Sequence, residues 1–170
     1  HSERRKKELP TRALVSLDIS NMFNALSRQK LREIIKREFP ELESFADLLY
    51  ETEGATGVKM ADGSWTYIPV REGFSQGCPM SPIFTAMVLG EILKRLDQEF
   101  CERAACRKDQ NIMDDNKGGV PIILAYVDDV NCLLPLEDVE DFLRRFKEIG
   151  EDLSAKMNTE KTQILTPTHN

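Results

Sequence analysis

Two adjacent carboxylates, Asp128 and Asp129, lie in the stretch of the sequence most suited to chemistry. Apolar runs at 120–124 and 132–134 flank this stretch, a pattern that predicts a β-hairpin with both acids at its tip. Neither run carries a cation, so the two charges repel one another, and a bound divalent metal ion would relieve that repulsion. The alternative is a solvated turn, because aspartate is common in turns for its own hydrogen-bonding reasons.

The composition is that of an ordinary globular domain: 170 residues, 41% hydrophobic and 31% charged. No apolar run approaches the ~20 residues that span a bilayer, and residues 1–7 lack the apolar segment of a secretory signal. The four cysteines have no spacing typical of zinc ligands, which predicts a reducing, intracellular compartment, cytoplasm or nucleus. The net charge of −6 argues against a domain that binds nucleic-acid phosphates over a broad basic face.

Hydrophobic periodicity predicts strands and helices along the whole chain. The predicted elements are a strand at 13–19, a helix with an apolar face at 31–39, a short helix at 42–49, a hairpin at 58–70, a helix at 81–100, the acidic hairpin, a helix at 136–153 and a strand at 162–165. Asp62-Gly63 in the first hairpin favours a type I′ turn. Ser81 and Pro82 predict the start of the long helix, with Ser81 as its N-cap. Residues 103–119 are charged, end in two glycines and are predicted to form an exposed, mobile loop.

The order of these elements brings a third acid, Asp18, towards the pair. Without the hairpin at 58–70 the order is strand, helices, strand, strand, helix, strand, which is the split βαβ, ferredoxin-like arrangement of the α+β class. Crossovers between parallel strands return to the same edge of a sheet, so the strands ending at Asp18 and Tyr126 run parallel and finish at one end. We therefore expect Asp18 to meet Asp128 and Asp129 there. Alone, Asp18 could equally be a helix N-cap or a strand-end acid.

Three carboxylates without a histidine or cysteine form an oxygen-only ligand set, which suits Mg²⁺ or, as a substitute, Mn²⁺. Two such ions ~3.5–4 Å apart are the recurrent arrangement for in-line phosphoryl transfer. In this hypothesis Asp18 and Asp128 bridge both ions and Asp129 lies beside them. The backbone carbonyl of Ile19 completes one coordination shell.

Four motifs follow one another along the chain. They are Asp-Ile-Ser-Asn-Met-Phe-Asn at 18–24, Gln-Gly-Cys-Pro-Met-Ser-Pro at 76–82, Tyr-Val-Asp-Asp at 126–129 and Asn-Thr-Glu-Lys-Thr at 158–162. In this order they resemble the palm motifs of reverse transcriptases, more those of non-LTR retrotransposon and group II intron enzymes than retroviral ones. The resemblance covers residues 13–165 and implies a polymerase palm with an additional β-hairpin. Such an enzyme extends a DNA or RNA primer with deoxynucleoside triphosphates (dNTPs) on an RNA template.

The resemblance also implies roles for individual residues. Asp18, Asp128 and Asp129 match the catalytic aspartates. Phe23 stands where the family has an aromatic gate against a ribose 2′-hydroxyl, and Lys161 matches a lysine held to protonate the leaving pyrophosphate. The other matches belong to the nucleotide pocket: Ile19, Ser20, Asn21, Met22, Gln76 and Gly77. Simpler alternatives exist, since Phe23 could pack in the core, Lys161 could be a solvated charge, and the pocket loop could be an ordinary connection.

A complete reverse transcriptase has a basic fingers segment before the palm and a thumb after it. The resemblance therefore implies that residues 1–12 are a tail or a remnant of fingers, 13–166 the palm and 167–170 a C-terminal tail. Fingers and thumb would supply most contacts to template and primer. The isolated chain is accordingly expected to be inactive or very weak.

Two other functions fit parts of the pattern. A domesticated, non-catalytic reverse-transcriptase-like domain could serve in binding or assembly, but decay should erode the chemical residues first, and the acids, Gln76 and Lys161 all remain. An RNA-templated RNA polymerase is the weaker alternative. Those enzymes more often carry glycine before the paired acids and lack an aromatic gate.

Overall fold

A computed structural model describes residues 12–50, 54–109, 119–127 and 129–166. Asp128, the predicted C-terminal tail and all of the predicted N-terminal tail except Arg12 lie outside these residues. The strands are β1 (Arg12–Leu17), β2 (Ile19–Ser20), β3 (Gly54–Lys59), β4 (Trp65–Val70), β5 (Ile122–Tyr126), β6 (Asp129–Pro135), β7 (Lys156–Met157) and β8 (Gln163–Leu165). The α-helices are α1 (Met22–Ala25), α2 (Arg28–Glu38), α3 (Glu43–Tyr50), α4 (Ser81–Asp109) and α5 (Val139–Asp152), with 3₁₀ turns at Pro40–Leu42 and Leu136–Asp138. None of the described helices combines the length and apolar character needed to cross a membrane.

A four-stranded sheet with the order β5-β6-β1-β8 forms the centre of the fold, and each neighbouring pair is antiparallel. Since β1 and β5 both run antiparallel to β6, they point in the same direction, as the sequence predicts. Leu17 pairs with Val130 and Tyr126 pairs with Asp129, so both strands end where β6 begins. The described residues also form two small sheets, β2-β7 and β3-β4.

The hydrophobic core lies on one face of this sheet because apolar residues alternate along its central strands. On β1 and β6 the buried residues are Ala13, Val15, Leu17, Val130, Cys132 and Leu134. Helices α4 and α5 add side chains at helical spacing, which are Phe84, Val88, Ile92, Leu96, Phe100, Phe142, Phe146 and Ile149. The rings of Phe100 and Phe142 join the two helices edge to face at 5.3 Å. Burial raises the pKa of the Cys132 thiol to about 12, so this cysteine stays neutral in the core.

The long helix continues further than the sequence predicts. Residues 103–109 belong to α4, so the prediction of an exposed, mobile loop is wrong for this segment. The helix is extended because two arginines pair with acids at the start of α5 and in the turn before it. Arg103 lies 3.0 Å from Asp141, and Arg107 lies 2.5 Å from Asp138. The rest of the predicted loop, up to residue 118, lies outside the described residues.

The turn of the first hairpin also differs from its prediction. The Met60 N–H donates to the Ser64 carbonyl at 2.8 Å, and the Gly63 N–H donates back to the Met60 carbonyl at 3.0 Å. The loop therefore has three residues, 61–63, and ends in a left-handed glycine with φ of +84° at Gly63. This pairing excludes the predicted two-residue type I′ turn. The Asp62 carboxylate, which accepts the Ser64 N–H at 2.9 Å, stabilises the longer loop.

The β3–β4 hairpin stands away from the core. Its residues from 54 to 69 are all exposed, and Trp65 and Tyr67 keep 59% and 69% of their surfaces accessible. The hairpin joins the rest of the domain at Val70, whose carbonyl accepts a hydrogen bond from a buried arginine of α2 at 3.1 Å. The first strand also begins earlier than predicted, at Gly54 instead of residue 58.

A glycine between β4 and α4 determines how closely two segments approach. Gly73 has φ of +72°, and a Cβ there would lie 2.4 Å from backbone atoms of Asn24. Replacing Gly73 with alanine should lower the free energy of unfolding by about 3 kcal/mol, because the left-handed conformation costs about 1–2 kcal/mol and the overlap adds a similar amount. Urea denaturation measures this loss.

Gly63→Ala is the matched control for that variant. Gly63 also has a positive φ, +84°, but nothing lies within 4 Å of an added Cβ. The free energy of unfolding of this variant should therefore fall by about 1 kcal/mol, which is the cost of the left-handed conformation alone. Equal losses in the two variants would contradict the close approach of Gly73 to Asn24.

Candidate active site

Two of the predicted acids occupy neighbouring positions at one end of the central sheet. Leu17 of β1 pairs with Val130 of β6, and the next residues along these two strands are Asp18 and Asp129. Asp18 is partly buried and Asp129 is exposed. Neither has an ion-pair partner among the described residues. The fold therefore places two like charges at neighbouring positions of adjacent strands, where they repel one another.

The turn that carries the third acid has an unusual backbone. β5 ends at Tyr126, which pairs with Asp129, the first residue of β6. Val127 has φ of +56°, a conformation that is strained for a β-branched residue. Such turns need a positive φ at their first central residue and usually have glycine or asparagine there. Asp128 itself lies outside the described residues, and no group of three potential metal ligands occurs within them.

The backbone of Asp18 is held from the side opposite β6 by the segment 158–162. The Asn158 N–H donates to the Asp18 carbonyl at 2.8 Å, and the Asp18 N–H donates to the Thr162 hydroxyl at 3.4 Å. The next residue along, Ile19, pairs with Met157 in the small β2-β7 sheet. These contacts use backbone groups of Asp18, and its carboxylate has no hydrogen-bond partner in the described part of the chain.

The same segment positions Lys161 through its own hydrogen bonds. The Asn158 side-chain oxygen accepts the N–H groups of Glu160 and Lys161 at 3.2 and 3.3 Å. The Thr162 hydroxyl donates to the Asn158 carbonyl at 2.7 Å and closes the turn. The sequence interpretation assigns a role to Lys161 but none to Asn158 or Thr162. An asparagine followed by a threonine four residues later is a recognisable signal for such a turn.

A cleft of about 420 Å³ brings most of the predicted site residues together. It is lined by Asp18, Ile19, Ser20, Asn21, Met22, Phe23, Asn24, Gln76, Asn158 and Lys161. Among these lining residues Asp18 and Lys161 carry the charges, and most of the others present amide or hydroxyl groups. Asp129 and Gly77 are not lining residues, although each is next to one of the elements that form the cleft.

Phe23 faces this cleft and not the core. Its side chain is partly exposed, whereas its neighbours Met22 and Phe74 are 3% and 2% exposed. The Phe23 carbonyl accepts the Phe74 N–H at 2.5 Å, which fixes the backbone below the ring. The core-packing alternative for Phe23 is therefore not the arrangement that this fold adopts.

The loop carrying Gln76 is fixed at its base by two hydroxyl groups. The Tyr50 hydroxyl accepts the Ser75 N–H at 3.3 Å, and the Ser81 hydroxyl donates to the Ser75 carbonyl at 2.7 Å. Gln76 is exposed beyond these contacts, and Gly77 has φ of +88° with no atoms near its missing side chain. The loop therefore has a rigid base and an accessible tip.

A thiol follows this tip in the chain. A hydrogen bond from the Met80 backbone lowers the pKa of the Cys78 thiol, with smaller effects from Ser81 and Tyr50. Cys78 is partly buried and belongs to the base of the loop, outside the lining of the cleft. Its thiol therefore adds no ligand to the oxygen donors around Asp18.

Comparison with known proteins identifies the fold and its family. The family model described as reverse transcriptase (RNA-dependent DNA polymerase) matches residues 2–170. The retrovirus-related Pol polyprotein of the type-2 retrotransposable element R2DM from Drosophila melanogaster is 28% identical over 89 residues, which are 51% of this chain and 8% of that protein.

Solved telomerase structures share the fold. Telomerase from Candida tropicalis, in complex with the TWJ fragment of telomeric RNA, has a TM-score of 0.68 at 15% identity and covers 98% of this chain. Apo telomerase from the same organism, truncated from the C-terminal domain, gives 0.67 at 17% identity over 97% of the chain. The corresponding complex from Candida albicans gives 0.66 at 15% identity over 98%. This chain spans 28%, 32% and 28% of those three chains.

The cleft, the paired acids and the sheet that positions them thus occur in a sequence that one family model matches over nearly its full length. At the identities found, the telomerase likeness shows the fold alone. The family match goes further, and this chain belongs to the reverse transcriptases, the RNA-dependent DNA polymerases.

Proposed function

We propose that this chain is the palm of an RNA-directed DNA polymerase, with the split βαβ, ferredoxin-like arrangement. Its centre would transfer a nucleotide from a dNTP to a primer 3′-hydroxyl. The antiparallel strand order β5-β6-β1-β8 supports the palm assignment. The observation that carries the catalytic assignment is the position of Asp18, which lines the cleft with Phe23 and Gln76, next to Asp129 on the adjacent strand.

Two Mg²⁺ ions, with Mn²⁺ as a substitute, are the proposed cofactor. The fit rests on the donor chemistry: the acids supply oxygen atoms only, and Asp18 and Asp129 have no ion-pair partner among the described residues. The proposed ligands are Asp18, Asp128, Asp129 and the carbonyl of Ile19. Bound ions would neutralise phosphate charge and activate the attacking hydroxyl.

The chain's own residues would bind and orient the nucleotide. The backbone N–H groups of residues 20–23 would face the triphosphate, as successive N–H groups in irregular turns do for anions. The Phe23 ring would occupy the space of a ribose 2′-hydroxyl. Gln76 would hydrogen-bond to the base or sugar, and Gly77 would allow close approach of the backbone. Lys161 would hold a proton for the leaving pyrophosphate.

An RNA template with a DNA or RNA primer is the proposed partner. Two of the similar telomerase structures contain an RNA fragment, which supports this choice. The net charge of −6 suggests that most phosphate contacts come from fingers and thumb segments of a longer parent protein. We therefore expect the isolated chain to be inactive or very weak in polymerisation.

Removing one carboxylate tests the catalytic assignment. In the full-length parent protein, Asp18→Asn or Asp128→Asn should lower DNA synthesis by about 10³-fold or more, because each change removes a proposed metal ligand without changing side-chain shape. Primer extension on an RNA template measures the loss, and thermal melting should change little. Glu151→Gln, an exposed acid at the end of α5, should leave synthesis intact. Retained synthesis in either aspartate variant would refute the metal role.

Metal binding separates the polymerase from a non-catalytic module. Calorimetric titration of the 170-residue chain with Mn²⁺ should show binding in the millimolar range or tighter, and Asp18→Asn should weaken it. A chain that shows no Mn²⁺ binding, with dNTP present or absent, would favour a domesticated binding or assembly domain.

The gate assignment predicts a change in sugar selectivity. Phe23→Val in the full-length parent should reduce the preference for dNTPs over ribonucleoside triphosphates by about tenfold or more, since the smaller side chain leaves room for a 2′-hydroxyl. Single-nucleotide incorporation with each substrate gives the ratio of kcat/KM values. Phe45→Val, which changes a 42% exposed phenylalanine of α3, is the matched control and should leave the ratio unchanged. An unchanged ratio in the Phe23 variant would show that the ring does not meet the sugar.

A further inference from the structure

A buried arginine at the start of α2 reaches away from its helix to the segment between β4 and the Gln76 loop. Arg28 is 9% exposed. Its Nε donates to the Gly73 carbonyl at 2.7 Å, and a terminal nitrogen donates to the Val70 carbonyl at 3.1 Å. The guanidinium carbon also lies 4.7 Å from the centre of the Tyr50 ring. One side chain thus contacts two separate parts of the chain, the segment 70–73 and the end of α3 at Tyr50.

Beside this arginine, further hydrogen bonds join the segment 72–74 to the segment 23–28, which leads from α1 into α2. The Arg28 N–H donates to the Glu72 carboxylate at 3.1 Å, and the Gly73 N–H donates to the Leu26 carbonyl at 2.9 Å. At the next residue, the Phe74 N–H donates to the Phe23 carbonyl at 2.5 Å. The segment that leads to Gln76 therefore lies directly against the segment that carries Phe23.

The contacts of Arg28 require a guanidinium group. Two carbonyl oxygens at separate positions need two donors held in a fixed plane, and the same plane must stack on an aromatic ring. Lysine offers a single ammonium group that cannot meet all three partners at once. Removing the guanidinium would take one donor from each of the Val70 and Gly73 carbonyls, which would let the connecting segment move.

We propose that Arg28 is a positioning residue that sets the separation between the Phe23 ring and the Gln76 loop, and so the selectivity for the sugar of the incoming nucleotide. This inference rests on the proposed polymerase function. Arg28 does not line the cleft, and it acts only through the two segments that it holds together. A shift of about 1 Å in such a segment is enough to change rates substantially.

The test uses the full-length parent protein with Arg28→Met and Arg28→Lys. Arg28→Met should raise KM for dNTPs by about tenfold and lower the dNTP-to-ribonucleotide preference by about fivefold, and Arg28→Lys should give a partial effect. Arg37→Met is the matched control. Arg37 is on the same helix, its side chain is 52% exposed, and its partners Glu38 and Glu91 lie at 3.0 and 2.7 Å, away from the cleft.

A merely structural role gives a different result. If Arg28 only stabilises the fold, its variants will contain less active protein. In that case kcat per total enzyme falls while KM and the sugar preference stay unchanged, and this outcome overturns the proposal. Glu72→Ala removes an exposed acceptor of the Arg28 N–H and keeps the test valid should the arginine variants fail to fold. It should shift KM and preference in the same direction by about twofold, and no shift would also overturn the proposal. A wild-type parent that incorporates no nucleotide would instead refute the polymerase function itself.

Discussion

The pairing of β6 between β1 and β5 is the constraint on which the rest of this structure depends. Its register is set by apolar side chains that alternate on the core face, such as Leu17 opposite Val130, because a slip of one residue would turn every one of them to solvent. The position of the acids follows from that register. Asp18 follows Leu17 and Asp129 precedes Val130, so the pairing of these two buried residues makes the acids neighbours. Hydrophobic burial therefore enforces an electrostatic contact that is unfavourable by itself.

The domain holds its reactive residues mainly through their backbones. Asp18 is fixed by Asn158 and Thr162, and the base of the Gln76 loop is fixed by two hydroxyl groups. Side chains that face the cleft are then free to meet a ligand. Phe23 shows the same division, since its carbonyl is bound to Phe74 while its ring lies at the surface of the cleft.

Several local features of the site are costly in isolation. Val127 has a left-handed backbone, and the adjacent acids repel one another. The core built by α4, α5 and the sheet offsets these costs, and the arginine pairs of α4 add a connection between the two helices. A stable framework that tolerates strain at one edge is common among proteins whose function requires a particular local geometry.

The sequence by itself determined the order of strands and helices, the acidic hairpin and the direction in which β1 and β5 run. Those features follow from hydrophobic periodicity and from connection rules that depend on nearby residues. The family motifs likewise located the residues that line the cleft, although the position of Asp128 lies outside the described residues.

Only the tertiary structure decided the remaining features. The helical state of residues 103–109 depends on acids more than 30 residues away. The β2-β7 pairing joins Ile19 to Met157, and the Arg28 side chain donates to the carbonyls of residues 70 and 73. The loop at 61–63 was missed for a local reason, because the Asp62 carboxylate accepts the Ser64 N–H and so stabilises a three-residue loop instead of the predicted type I′ turn. Local patterns cannot reveal the distant contacts, since each depends on two segments that become neighbours only after the sheet and helices have packed.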